Sequence, residues 1–362
     1  MRDRRPIHCI IPPYIMDRLA ASRDPAVRAR AVAALASAAA FRAHRGLAHR
    51  APEVLARRAP EGGKRRMVYD ARNARTLPGR LVLSEGGKRP RDPAVREAYE
   101  HSGATYDFYQ MLFRRDSLDD HGMPLVSSVH VADTDGQPLD NAFWNGEQMA
   151  YGDGDAVLFT RFTKALDVVA HELTHGVQAF TSNLEYRDQP GALNEHFSDV
   201  FGILVRQWKQ GETADAASWL IGADILVPAK TRRAIRDMLH PGTAYVDDPD
   251  LGTDPQPGHM RGLYRGPKDN GGVHLNSGIP NRAFALAATK IGGKAWEVTG
   301  RIWYETLLRL PPKAQFADCA RMSIAAAAGH GAAARKAVAD AWRTVGVRPR
   351  RAPTLEPPPR AP

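Results

Sequence analysis

The stretch Asp167-Val-Val-Ala-His-Glu-Leu-Thr-His-Gly-Val177 decides how the rest of this sequence is interpreted. Its apolar residues recur at helical spacing, which predicts a helix buried in the protein core. At 3.6 residues per turn, His171 and His175 lie one above the other on the same face. Glu172 points about 100° away from them. Because buried polar side chains need partners, two imidazoles and a carboxylate on an apolar helix indicate a metal ion.

The His-Glu-x-x-His motif is typical of zinc hydrolases, although chance matches occur on solvated helices. A catalytic zinc ion usually has three protein ligands, and the best candidate for the third is Glu195. It lies in the segment Gly191-Ala-Leu-Asn-Glu195-His-Phe-Ser-Asp199, where Asp199 shares its helical face. We expect Asp199, and in a similar way Asn194, to orient a ligating histidine through its second ring nitrogen. A solvated acidic face is the alternative, but apolar residues crowd this segment.

Several motifs in order resemble the thermolysin family of zinc endopeptidases. Besides the two segments above, they are Tyr151-Gly-Asp-Gly-Asp155 and Asp269-Asn-Gly-Gly-Val-His274-Leu-Asn-Ser-Gly278. The resemblance runs from about Met67 to about Gly346. It implies an α+β fold of two lobes, in which the zinc-binding helix joins a β-rich N-terminal lobe to an α-helical C-terminal lobe. It also implies hydrolysis of peptide bonds within a chain, before hydrophobic residues, with Glu172 as general base.

The resemblance assigns further residues to the site. Tyr186 and His274 match the pair that stabilises the oxyanion, and Asp269 matches the residue that orients His274. Asn141 and Ala142 match the edge strand that binds an extended substrate, and Arg236 matches the arginine that binds a substrate carbonyl. The hydrophobic specificity pocket of the family matches Phe159, Phe162, Val168 and Ile235. Taken singly, each of these residues is better explained without a functional role: Tyr186 by packing, His274 by a turn in a Gly-rich loop, and Arg236 by a basic cluster on a solvated helix. Their occurrence together, in family order behind a zinc motif, favours one site.

The chain divides into four predicted regions: a basic segment 1–60, the two lobes at 61–165 and 166–347, and a disordered Pro/Arg tail at 348–362. Residues 1–66 carry 15 Lys and Arg against 5 Asp and Glu, whereas residues 67–347 carry 31 against 34. This distribution favours a prosegment that complements the enzyme over a nucleic-acid-binding protein. Ile10-Ile-Pro-Pro-Tyr14 resembles the short prosegment of protealysin-like members of the family.

A helix capped by Asp24-Pro25 should follow in this segment, with one apolar face formed by Val27, Ala31, Ala34, Ala38 and Phe41. We expect the prosegment to inhibit its own enzyme and to be removed by cleavage between about Arg57 and Met67. Cys319 is expected to be a packed helix residue. Cys9 could cap the zinc ion, although a buried thiol is the favoured interpretation.

One catalytic Zn²⁺ is the cofactor that these motifs imply. The acidic residues of the two-calcium site of thermolysin correspond to Asp167, Arg206, Ser218, Leu220 and Ala223, and only the first is a carboxylate. Since a guanidinium cannot bind calcium, this site is predicted to be absent. Asp153 and Asp155 could hold another calcium ion, but a turn explains them equally well.

Peptide or protein substrates and the chain's own prosegment are the expected partners, without nucleic acid or membrane, and we expect a monomer. The resemblance favours secretion, although no secretory signal peptide is visible and cytoplasmic retention before release is the alternative. Two other functions stay open at this point. A zinc aminopeptidase can share the helix motif, and a non-catalytic basic protein would bind nucleic acid in a salt-sensitive way and hold no zinc.

Overall fold

The computed structural model describes residues 8–44, 63–133 and 136–349. Most of the predicted cleavage region between Arg57 and Met67, and nearly all of the predicted C-terminal tail, lie outside these ranges. Within them, no helix combines the length and the apolar character needed to cross a membrane.

A six-stranded mixed sheet dominates the N-terminal half of the described chain. Its strands are β1 (His8–Cys9), β2 (Arg66–Ala74), β3 (Arg80–Ser84), β4 (Leu125–Val131), β5 (Ala142–Trp144) and β6 (Met149–Tyr151). They are arranged in the order β1-β5-β6-β4-β2-β3. Strand β4 pairs in parallel with β2 and β6, and the remaining pairs are antiparallel. The prediction of a β-rich first lobe is confirmed.

Helix α3 (Pro93–Phe113) contacts this sheet through β2 and β4. Asp92 caps its first turn by accepting hydrogen bonds from the backbone N–H groups of Ala94 and Val95. Pro93 fits the first helical position because the N–H that it lacks would have had no partner in the helix.

The C-terminal half is helical, as predicted. Its main helices are α4 (Leu166–Ala179), α5 (Asp188–Gln210), α6 (Asp269–Asn276), α7 (Gly278–Ile291), α8 (Thr299–Arg309), α9 (Phe316–Ala327) and α10 (Ala332–Thr344). The strands β7 (Leu220–Ile221) and β8 (Arg236–Asp237) form a small antiparallel sheet. One hydrophobic cluster continues from the six-stranded sheet into these helices, so the halves share a core.

A turn at residues 295–298, closed by a hydrogen bond from the Gly300 N–H to the Ala295 carbonyl, precedes helix α8. Arg236 lies in strand β8 and is 1% exposed, so the alternative of a solvated basic helix is wrong.

Helices α4 and α5 pack closely against each other. Gly202 of α5 makes this possible, since a Cβ there would lie 2.7 Å from the Asp167 carbonyl oxygen and 3.3 Å from the His171 Cβ. Their close approach brings the two histidines of α4 and Glu195 of α5 to one point.

The N-terminal segment packs onto this body through β1 and two helices, α1 (Pro13–Ala20) and α2 (Pro25–His44). Asp24 caps α2 by accepting a hydrogen bond from the Ala26 N–H, as its position before Pro25 predicts. Ile10 and Ile11 are buried in the main hydrophobic cluster. A short helical segment therefore precedes the two-lobe body, and the expected fold class is confirmed.

Candidate metal centre and active-site cleft

His171, His175 and Glu195 converge at the interface of α4 and α5. Each offers one ligand atom, and these atoms all lie within 4.8 Å of one another. The Nε2 atoms of the two histidines are 3.1 Å apart. The Glu195 Oε2 atom is buried and has no hydrogen-bond partner among the described residues. Two imidazole nitrogens and a carboxylate oxygen are a ligand set that zinc accepts, so the residues fit the implied ion.

Neighbouring side chains fix the orientation of both imidazoles. The His171 Nδ1 lies 2.9 Å from Asp199 Oδ1, and the His175 Nδ1 lies 2.7 Å from Asn194 Oδ1. These contacts leave each Nε2 pointing towards the common centre. Burial lowers the pKa of His175 to about 3 and so keeps the imidazole in its neutral, metal-binding form.

Glu172 lies beside this centre and is completely buried. Its Oε2 accepts a hydrogen bond of 3.0 Å from the backbone N–H of Trp144, which anchors the carboxylate to strand β5. Its Oε1 is buried without a hydrogen-bond partner among the described residues. Burial raises the pKa of Glu172 to about 8.

Tyr186 and His274 face the same centre from the other side. The Tyr186 hydroxyl donates to Glu195 Oε1 and lies 3.2 Å from His274 Nε2. Asp269 holds His274 through its Nδ1 at 2.6 Å and also accepts the His274 backbone N–H. Left-handed backbone at residues 269–272, which Gly271 and Gly272 adopt readily, turns the chain tightly enough for this contact.

Arg236 joins the metal centre to the cleft, which is the space between Arg236 and strand β5 that residues 8–11 occupy. Its guanidinium donates two hydrogen bonds to Asp199, at 2.9 and 2.7 Å. Asp199 therefore contacts both His171 and Arg236, a link that the sequence did not indicate. Burial opposes ionisation of Asp199, but the charges and hydrogen bonds of Arg236 and His171 together outweigh it and hold the pKa of this carboxyl below its usual range.

The residues expected to form the hydrophobic pocket are all at most 1% exposed and belong to one cluster: Phe159, Phe162, Val168 and Ile235. The rings of Phe159 and Phe162 are 5.7 Å apart. Ile10 of the N-terminal segment belongs to the same hydrophobic cluster.

Residues 8–11 occupy the cleft as an added strand. β1 pairs antiparallel with β5, and the Ile10 N–H donates to the Ala142 carbonyl at 3.2 Å. The Ile11 N–H donates to Asn141 Oδ1 at 3.3 Å, and Arg236 donates to the Ile10 carbonyl at 3.1 Å.

The segment also reaches His274, because the Cys9 carbonyl lies 3.2 Å from His274 Nε2. The Cys9 side chain is only half-buried, contrary to the expectation of a buried thiol, because β1 is an edge strand. Cys319 is buried in α9, as expected.

Several residues that support the site were missed by the sequence analysis. Asn281 donates to Asp199 Oδ2 at 2.8 Å and accepts from His196, whose second nitrogen receives the indole N–H of Trp303. These contacts join residues that are far apart in the sequence, so no local pattern predicts them. The sequence does give a signal for His196, which follows Glu195 on a helix predicted to be buried.

Comparison with known proteins agrees with this geometry. Residues 61–179 match the family model for the catalytic domain of thermolysin metallopeptidases, and residues 182–347 match the model for their alpha-helical domain. An extracellular metalloprotease of Pectobacterium carotovorum subsp. carotovorum is 48% identical over 348 residues, which cover 95% of this chain and 97% of that protein.

Protease PrtS of Photorhabdus sp. (strain Az29) is 47% identical over 288 residues, covering 78% of this chain and 76% of the relative. A solved structure of the precursor of protealysin, a metalloproteinase from Serratia proteamaculans, superposes with a TM-score of 0.84 at 45% identity. That superposition covers 94% of this chain and 99% of the other. With both family models matched in order around a His-His-Glu centre, this chain belongs to the thermolysin family of zinc-dependent metalloendopeptidases, in its protealysin-like branch.

Proposed function

We propose that His171, His175 and Glu195 hold one catalytic zinc ion and that Glu172 is the general base of peptide-bond hydrolysis. The observation that carries this proposal is the convergence of three buried ligand atoms within 4.8 Å. Bound zinc supplies Lewis-acid polarisation and makes a water molecule nucleophilic near neutral pH. Asn194 and Asp199 would hold the histidines in the ligating tautomer.

Glu172 is positioned to move the proton. One of its oxygens is anchored by the Trp144 N–H, and the other has no partner in the described part of the chain and is available for a proton. It would accept the proton from the attacking water and pass it to the departing amine. No side chain needs to become covalently attached to the substrate.

His274 and Tyr186 would stabilise the negative charge that develops on the substrate carbonyl oxygen. They converge on one point, and Asp269 restrains the imidazole through two hydrogen bonds. Hydrogen-bond donors that are already in place stabilise the transition state more than the bound substrate, because the negative charge on the carbonyl oxygen is larger in the transition state.

The substrate-binding assignments rest on residues 8–11, which stand in for an extended peptide. Ala142 and Asn141 would bind the substrate backbone, and Arg236 would bind the carbonyl of the first residue after the cut, as they do for Ile10 and Ile11. Ile10, the first residue after the position of the cut, is completely buried and belongs to the same extended hydrophobic cluster as Phe159, Phe162, Val168 and Ile235. We therefore expect cleavage on the N-terminal side of hydrophobic residues.

The same contacts support an inhibitory role for the N-terminal segment. While β1 is paired with β5, an external peptide cannot form those hydrogen bonds. We propose that residues 1–60 are a prosegment, that residues 61–165 and 166–347 are the two lobes, and that cleavage between about Arg57 and Met67 activates the enzyme.

Two finer points complete the proposal. Asp167 is buried and accepts a hydrogen bond from the Gly222 N–H. Burial raises the pKa of Asp167, and the charge of Arg206 offsets part of this effect. This arrangement supports the absence of a two-calcium site. We also propose that the enzyme acts outside the cell, which is supported by relatives named extracellular metalloproteases.

Metal analysis and an end-blocked peptide test the function together. We expect one zinc per active chain and cleavage of a peptide with acetylated and amidated ends before its leucine, with activity lost on chelation and restored by zinc. Cleavage only of peptides with an unblocked N-terminus would support an aminopeptidase instead. Correctly folded protein without zinc that binds nucleic acid in a salt-sensitive way would refute the proposal.

A further inference from the structure

Two carboxylates lie next to the cleft but outside the metal centre. Asp140 precedes Asn141 and is 7% exposed, and its Oδ1 is buried without a hydrogen-bond partner among the described residues. Its carboxylate accepts the backbone N–H of Asp155. Burial raises the pKa of Asp140 to about 8, and the charge of the nearby Asp155 adds to this effect. The two carboxylates therefore have too little positive charge near them to favour their ionised forms.

In this structure a guanidinium of the N-terminal segment supplies positive charge to the two carboxylates. Arg30 of helix α2 places its Nη1 3.4 Å from Asp155 Oδ2 and 3.3 Å from the Asp155 carbonyl oxygen. Its charge also favours the ionised form of Asp140. The Asp155 Oδ1 already accepts the backbone N–H groups of three following residues, so only Oδ2 faces outwards to a cation.

The register of β1 on β5 locates this pair relative to the bond that is cut. The Cys9 carbonyl lies at His274, the Ile10 N–H binds Ala142, and the Ile11 N–H binds Asn141. A peptide running in the same direction meets Asp140 next. The pair is therefore beside the second and third residues on the C-terminal side of the cut.

We propose that Asp140 and Asp155 form a subsite that binds the basic side chain of a substrate at the second or third residue after the cut, once Arg30 has left with the prosegment. This inference rests on the proposed function and adds a substrate preference to it. It follows that the prosegment covers the acidic subsite as well as the peptide-binding edge.

A basic side chain fits this pair better than a metal ion does. Calcium requires six to eight oxygen ligands, whereas the pair presents Asp140 Oδ1, Asp155 Oδ2 and one carbonyl oxygen. A guanidinium offers five N–H donors, and Arg30 already contacts two of these oxygens.

Matched peptides test the proposal on the zinc-loaded enzyme obtained from the full chain after activation. Two end-blocked series carry either arginine or citrulline at the second or third residue after the cut, since citrulline has nearly the same shape without the charge. We expect kcat/KM to be about five-fold higher for arginine at one of these positions, because a partly exposed ion pair contributes about that factor. Added salt should reduce the ratio.

The variant Asp140→Asn should bring the arginine-to-citrulline ratio close to one, while the exposed control Asp224→Asn should keep it. Equal cleavage of arginine and citrulline peptides by the unmodified enzyme at both positions would overturn the subsite, whatever the variants do. So would an undiminished ratio in Asp140→Asn. Failure to cleave any of the peptides would overturn the proposed function itself, and this inference with it.

Discussion

His130 provides a pH-dependent test of how the first lobe is held together. It lies on β4, and its two ring nitrogens are 2.7 Å from Asp153 Oδ2 and 2.8 Å from Asp92 Oδ2. The imidazolium can donate to both carboxylates at once, whereas the neutral ring has one N–H. The hydrogen bond to Asp153 is the main reason why the pKa of His130 rises from 6.5 to about 9. His130 thus clamps the cap of α3 to the turn before Phe159.

The sign and size of the effect follow from this shift. Because the folded pKa lies above the unfolded one, the clamp stabilises the fold fully below about pH 6.5, and this stabilisation disappears as the pH rises through about 9. The full shift corresponds to about 3 kcal/mol. The carboxylate partners are 36% and 29% exposed, so solvent screening reduces the expected contribution to about 1.5 kcal/mol.

Thermal unfolding of His130→Gln measures this contribution. The Glu172→Ala background prevents self-digestion, and the exposed His121→Gln is the matched control. At pH 6 we expect the melting temperature of His130→Gln to fall by about 4 °C relative to its parent, and at pH 10 by much less. An equal loss at both pH values would show that the packing of the ring, rather than its charge, stabilises the lobe.

Three further predictions concern the metal, calcium and the prosegment. Glu172→Ala should retain its zinc, measured by elemental analysis, while peptidase activity falls by about a thousand-fold or more; substantial turnover by the zinc-loaded variant would refute its role as base. Removing calcium with EGTA should leave the melting temperature nearly unchanged, and a drop of many degrees would reveal a calcium site. In the unprocessed chain, Ile10→Asp should release inhibition, because Ile10 is completely buried and burying a carboxylate there costs several kcal/mol, whereas Ala29→Asp on the exposed face of α2 should not. Initial hydrolysis of a small end-blocked peptide measures this, and equal latency of both variants would contradict the inhibitory strand.

The sequence by itself determined the zinc helix, the helical second half and the prosegment helix. These elements depend on short-range information: a 3.6-residue period places His171 over His175, and Asp24-Pro25 marks a helix start. The spacing of Glu195 and Asp199 on an apolar segment indicated the third ligand, and the family resemblance added His274 and Arg236 because their motifs occur in order. It could not specify what each side chain contacts.

Only the tertiary structure decided the contacts that make the site function. The absence of a side chain at Gly202 lets α5 approach α4, and so determines the distance of Glu195 from the histidines. Arg236 is buried against Asp199 rather than solvated, and Arg30 meets Asp155 across 125 residues of chain. Such pairings are set by how whole helices and sheets pack, because burial makes unpaired charges costly only once distant segments have come together.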